Sequence, residues 1–144
     1  INVDGTLINH SEKKVETHII KKVVEMADKI GIDVCVCAGD QEEVELVSKM
    51  KPSYVAFEPP ELIGSGKSVS KMKPEELKES VKIILDVSEK KSIPLCGAGI
   101  STKEDVALAI EYGARGILVA SAFVKSKNKE EVLRDFSEAI EEKI

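Results

Sequence analysis

The sequence predicts an α/β fold, a parallel sheet covered by helices. Three features carry that expectation. Short apolar runs alternate with helical runs five times, no hairpin signal joins two strands, and nearly every unusual residue lies just after a strand. Two closures of such a sheet stay open: a five-stranded doubly wound sheet, or part of an eightfold (β/α)8 barrel. Five units in 144 residues scale to about 230 for eight, an ordinary barrel size, so length does not choose.

Gly5 to Asn9 reads as the first strand. Ser11 is placed to cap the following helix, with Glu12 in its first turn, where the helix dipole favours negative charge. Val15, Ile19, Ile20, Val23, Val24, Ala27 and Ile30 recur on one helical face, and Gly31 ends the run. Asp33 to Ala38 is a buried strand, and Gly39-Asp40 turns into a helix through Val44, Leu46 and Val47. Pro52 stops that helix before a third strand, Tyr54 to Phe57. After a long loop, Pro74 opens a helix where proline is favoured, with Leu77, Val81, Ile84 and Leu85 inward. Ile93 to Cys96 is the fourth strand. Ser101 or Thr102 then caps a helix with Glu104 and Asp105 in its first turn, Val106, Ala109 and Ile110 inside, and Gly113 at its end. Gly116 to Ala120 is the fifth strand, and the last helix buries Val132, Leu133, Phe136 and Ile140.

The stretch Ala56 to Gly66, AFEPPELIGSG, organises the rest. A strand delivers Glu58 to its C-terminal tip, and Pro59 and Pro60 forbid any further ladder. An apolar reach through Leu62 and Ile63 follows, released by Gly64 and Gly66. A stiff start, an apolar middle and a flexible exit describe a loop able to close over something.

Net charge of −5 argues against nucleic acid or an anionic membrane as partner, and 3% aromatics leave no stacking platform for bases. Neither a transmembrane run nor a signal-peptide pattern is seen. Cys35, Cys37 and Cys96 lie in apolar runs and read as reduced thiols of a cytoplasmic protein, packed in the core rather than binding metal. Gly64-Ser65-Gly66-Lys67-Ser68 imitates the end of an ATP-binding P-loop, but Glu61 stands where the first glycine is needed. Absence of a Met at Ile1 suggests a piece of something longer.

In a parallel sheet the strand ends share one rim. His10, Glu58, Gly97, Gly99 and Ser121 all fall there. A carboxylate base, a histidine and glycine loops on one rim suit acid–base chemistry on a phosphorylated small molecule. His10 reads as lying at a helix N-terminus, which favours a neutral imidazole. His18 reads as solvated.

Together these motifs resemble the second part of a triosephosphate isomerase of the compact archaeal type. LINHSE at Leu7 to Glu12 is similar to that family's histidine segment, and AFEPPELIGSG to its glutamate and lid segment. CGAGIS at Cys96 to Ser101 and GILVAS at Gly116 to Ser121 resemble its phosphate-gripping loops, and Cys37 to Asp40 is a looser match to its Cys-x-Gly-Glu turn. The resemblance spans essentially all 144 residues and implies one partial TIM-barrel domain supplying strands 4 to 8, with three βα units lying upstream. It implies Glu58 as the base, His10 as a neutral electrophile and Glu12 as a support. Backbone at Ile63, Gly64, Gly99, Ala120 and Ser121 would hold phosphate. The implied activity interconverts dihydroxyacetone phosphate and D-glyceraldehyde 3-phosphate without metal or organic cofactor, in a homo-oligomer, dimer or tetramer; the alternatives are another phosphate-binding barrel enzyme, or a non-catalytic half-barrel module. The family's Asn-x-Lys motif at the end of the first barrel strand has no counterpart here. The 144-residue stretch alone is therefore expected to be nearly inactive, since one lost electrostatic stabiliser costs roughly 100- to 1,000-fold.

Overall fold

The computed structural model describes residues 3–143; Ile1, where the sequence begins, lies outside them. Five strands form one sheet: β1 (Gly5–Ile8), β2 (Asp33–Ala38), β3 (Tyr54–Phe57), β4 (Ile93–Cys96) and β5 (Gly116–Ile117). They pair in the order β1-β2-β3-β4-β5, every pair parallel. A doubly wound sheet needs a reversal of strand order, and none occurs here. The main helices pack together on one face of the sheet, as in a barrel wall, the arrangement that crossovers of one hand between successive neighbours produce.

That face holds the core. Val34, Val36, Val55 and Phe57 are at most 2% exposed. They pack with residues of α1 (Thr17–Ile30), α2 (Gln41–Ser48) and α4 (Pro74–Val87), such as Ile20, Val44 and Leu77. The α5 (Lys103–Glu111) and α7 (Lys129–Glu141) helices extend the layer through Val106, Phe136 and Ala139. Two four-residue helices, α3 (Val69–Met72) and α6 (Ser121–Val124), and a 3-10 turn at Pro60–Leu62 lie in loops where the sequence pattern is too short to reveal them.

Three expectations need correction. The first helix starts at Thr17 after a Glu16 cap position without a side-chain bond, so Ser11 caps nothing and Glu12 is in no first turn. Asn9 decides this: its backbone is left-handed (φ 61°), and its Oδ1 takes the Val15 N–H. Local side-chain bonds of this kind compete with a helix ladder. The fifth strand is two residues long rather than reaching Ala120: its pairing with β4 ends at Cys96 and Ile117, although Leu118 N–H still reaches the Cys96 carbonyl (2.9 Å). Ile19, Ile30, Leu46 and Leu133 are exposed, since their helices' contact with neighbouring elements is narrower than the apolar stripe. Gly31 closes α1 in the left-handed conformation, its N–H on the Ala27 carbonyl.

Candidate active site

The third strand builds the site outward from its backbone. Glu58 N–H donates to the Ala38 carbonyl (2.8 Å), and Gly97 N–H donates to the Phe57 carbonyl (3.1 Å). The ladder thus runs one residue past β3 on the β2 side and one residue past β4 on the other before Pro59 ends it. The Glu58 side chain is 7% exposed, and its Oε2 is buried without a hydrogen-bond partner. Room for the carboxylate comes from Gly97, where a Cβ would collide with Glu58 Oε1. Burial raises the Glu58 pKa above the ordinary glutamate value; the Cys37 thiol, His10 and the Ala98 amide offset part of that. Cys37 is itself pushed up, by its bond to Cys35, by burial and by Glu58, so beside the carboxylate it stays a thiol.

His10 Nε2 stands 3.9 Å from Glu58 Oε2. The helix-terminus argument for its neutrality fails, because α1 begins seven residues later. A different contact takes its place. Glu12 N–H donates to His10 Nδ1 (3.3 Å), so Nδ1 acts as acceptor and Nε2 carries the hydrogen that faces Glu58. Glu12 itself is 84% exposed, its Oε2 3.8 Å from His10 Nδ1, and it does not line the cleft.

Asn9, a strand-end residue to which the sequence reading assigned no role, holds the approach to His10 in place. It is 2% exposed, and its Nδ2 donates to the Cys37 carbonyl (2.9 Å) and to Glu43 Oε1 (2.7 Å). It thereby ties the end of β1 to the end of β2 and aims the next residue, His10. Asparagine immediately before a strand-end histidine was the available signal, since it tolerates the left-handed conformation better than most residues.

His10, Glu58, Ile63, Gly64, Gly99, Ala120 and Ser121 line one cleft of about 280 Å³. Ala98 and Gly99 are both left-handed (φ 67° and 71°), and a Cβ on Gly99 would strike the Lys67 carbonyl. The α5 N-terminus is not open to an anion: Asp105 accepts from the Ser101 and Thr102 N–H groups (3.0 Å each) in a capping box. The first-turn amides of Ser121 and Ala122 carry no such side-chain cap. Among the described residues no lysine or arginine lines the cleft, and no group of three or more His, Cys, Asp or Glu is arranged to hold a metal. His18 is exposed beside Glu16 (3.1 Å). No helix among the described residues is long and apolar enough to cross a membrane.

A singly wound parallel sheet with a buried glutamate, a histidine and glycine loops at the carboxyl ends of its strands is consistent with the βα-barrel class. The model of one family, triosephosphate isomerase, matches residues 1–141, and the chain belongs to that family. It is 43% identical over 131 residues to the triosephosphate isomerase of Methanocaldococcus jannaschii, covering 91% of this chain and 59% of that protein. Against the enzyme of the same name from Sulfurisphaera tokodaii it is 46% identical, covering 92% and 57%. The Methanopyrus kandleri enzyme gives 42% identity, with 96% and 61% covered. The chain thus spans about three-fifths of the length of the curated relatives it matches. Among solved structures, a thiamine phosphate pyrophosphorylase from Pyrococcus furiosus superposes with a TM-score of 0.71 at 18% identity, covering 98% of this chain and 61% of that one. The tryptophan synthase α-subunit from a hyperthermophile, Pyrococcus furiosus, gives 0.64 at 20%, covering 97% and 55%. These two likenesses concern the fold.

Proposed function

We propose that this chain is the catalytic part of a triose-phosphate isomerase, interconverting dihydroxyacetone phosphate and D-glyceraldehyde 3-phosphate through an enediolate. The observation that carries the reading is the buried, unpartnered Glu58 Oε2, 3.9 Å from His10 Nε2 at the wall of a cleft with glycine-rich loops. Glu58 takes the proton from the carbon beside the substrate carbonyl, and its desolvated carboxylate is a stronger base than an exposed one. His10 presents Nε2–H to the substrate oxygens and moves protons between them. This pairing is the family's established pattern, and the Glu12 amide bond to Nδ1 supports it here. Backbone at Gly64, Gly99, Ala120 and Ser121 receives the phosphate, beside the uncapped first turn of α6. Ile63, carried on the lid segment, excludes water once the segment closes. The exposed Glu12 supports the loop that carries His10.

The absence of a lysine or arginine from the cleft wall means that the enediolate charge calls for a cation from elsewhere. In this reading the chain supplies strands 4 to 8 of the barrel as one partial domain. The cation is then a lysine on the first strand, within three upstream βα units, and the assembled cytoplasmic enzyme is a homo-oligomer. The protein that carries this chain, given dihydroxyacetone phosphate, is expected to form glyceraldehyde 3-phosphate in a coupled assay. Wild-type rates in Glu58→Asp and Glu58→Gln would reject Glu58 as the base.

A further inference from the structure

The loop that closes the cleft on one side does not end freely. Val69 N–H donates to the Ala98 carbonyl (3.1 Å), Gly99 sits against the Lys67 carbonyl, and Ser70 Oγ donates to the Asp105 carbonyl oxygen (2.9 Å). Lys71 Nζ pairs with Asp105 Oδ1 (3.0 Å) as well as with Glu104 Oε2 (2.6 Å). The other oxygen, Asp105 Oδ2, accepts from Ser101 N–H (3.0 Å), Ser101 Oγ (3.3 Å) and Thr102 N–H (3.0 Å). One carboxylate, 3% exposed, therefore holds three things at once: the start of α5, the backbone just after Gly99, and the short helix that terminates the lid segment.

We propose that Asp105 is a positioning residue for phosphate recognition, locking the Gly99–Ser101 backbone and the lid's far end into a single arrangement. The inference rests on the isomerase reading and deepens it. Asp105 acts through geometry and not through contact. Both its oxygens are engaged, so it presents no free negative edge to an incoming phosphate, and its charge is balanced by Lys71. The left-handed Ala98-Gly99 pair lies at the cleft, tied on one side by the Val69 N–H on the Ala98 carbonyl and on the other, through Ser101, by the Asp105 carboxylate. Asparagine at 105 cannot serve both sets of donors. Its amide group must face either Lys71 or the two backbone N–H groups, and one side of the clasp opens.

The test measures equilibrium binding of inorganic phosphate, by calorimetry, to the protein that carries this chain and to its Asp105→Asn variant. Isomerisation of triose phosphate and of unphosphorylated glyceraldehyde is followed in parallel. Asp105→Asn is expected to weaken phosphate binding about tenfold (about 1.4 kcal/mol) and to raise KM for the phosphorylated substrate alike. Turnover of glyceraldehyde should stay at the parent value. Lys71→Met, which keeps the amide bonds, should give a smaller loss of about threefold and covers the case in which Asp105→Asn fails to fold. Equal phosphate affinity in parent and Asp105→Asn, or an equal fall for both trioses, overturns the proposal. If the parent binds phosphate but isomerises neither triose, the isomerase reading fails while the phosphate shift still decides the role of Asp105.

Discussion

Two carboxylates are buried at the same rim of the sheet, and they are opposites. Glu58 at the tip of β3 has an Oε2 with no partner, and burial lifts its pKa. Asp105 in the first turn of α5 is likewise shielded from solvent, yet both of its oxygens are engaged. Burial works against its charge too, but the Lys71 ammonium and the Ser101 and Thr102 groups outweigh it and hold Asp105 below the ordinary aspartate range. Burial alone therefore does not set the direction in which a carboxylate's pKa moves. What separates the two is the supply of donors: both oxygens of Asp105 are met, whereas one oxygen of Glu58 is not.

The widest separation should come from Glu58→Gln. Turnover is expected to fall by about 100- to 10,000-fold, as loss of a general base does. Thermal melts at neutral pH should show the same variant more stable, by about 1 kcal/mol, because an unpaired buried charge has been removed. Asp105→Ala should do the reverse to stability. Leaving Lys71 and two amides without their acceptor is expected to cost about 3 kcal/mol in urea unfolding. Gly97→Ala tests the space around Glu58: the added Cβ displaces the carboxylate, at a cost of about 1–3 kcal/mol and with lost turnover, whereas the Asp105 network should be untouched in a crystal structure.

The smallest effect is in the pH dependence of stability, where the two groups slope in opposite directions. Glu58 is less acidic folded than unfolded, so its contribution is most favourable below 4.5 and declines as pH climbs through its raised value. Asp105 is more acidic folded; its stabilisation is complete above 3.8 and is lost as pH drops through its lowered value. Urea midpoints of Glu58→Gln and Asp105→Asn against the parent, from pH 3 to 7, read each slope by difference. The acid limb of kcat/KM should likewise lie above the ordinary glutamate value, because Glu58 must be ionised to act.

Much of this rim was legible before any coordinates. Apolar runs bounded by glycine, proline or charged residues placed β2, β3 and β4 at the bounds observed, and Pro59-Pro60 marked Glu58 as a strand-end carboxylate. The start of α1 was not legible. Ser11 and Glu12 make a plausible cap, but Asn9 is drawn into bonds with Cys37 and Glu43, 28 and 34 residues away, and the chain turns instead. Asp105 looked like an ordinary first-turn acid until folding brought Lys71 to it.

The sequence by itself determined the local alternation of strand and helix, the residues available for chemistry and their common placement after strands. These depend on periodicity and on proline and glycine, which act over a few residues. Only the tertiary structure decided that the strands run in sequential order, that one Glu58 oxygen is left without a partner while both of Asp105's are engaged, and that His10 shows Nε2 to the cleft. Each of those depends on atoms far apart in the chain, and no local pattern carries the distance between them.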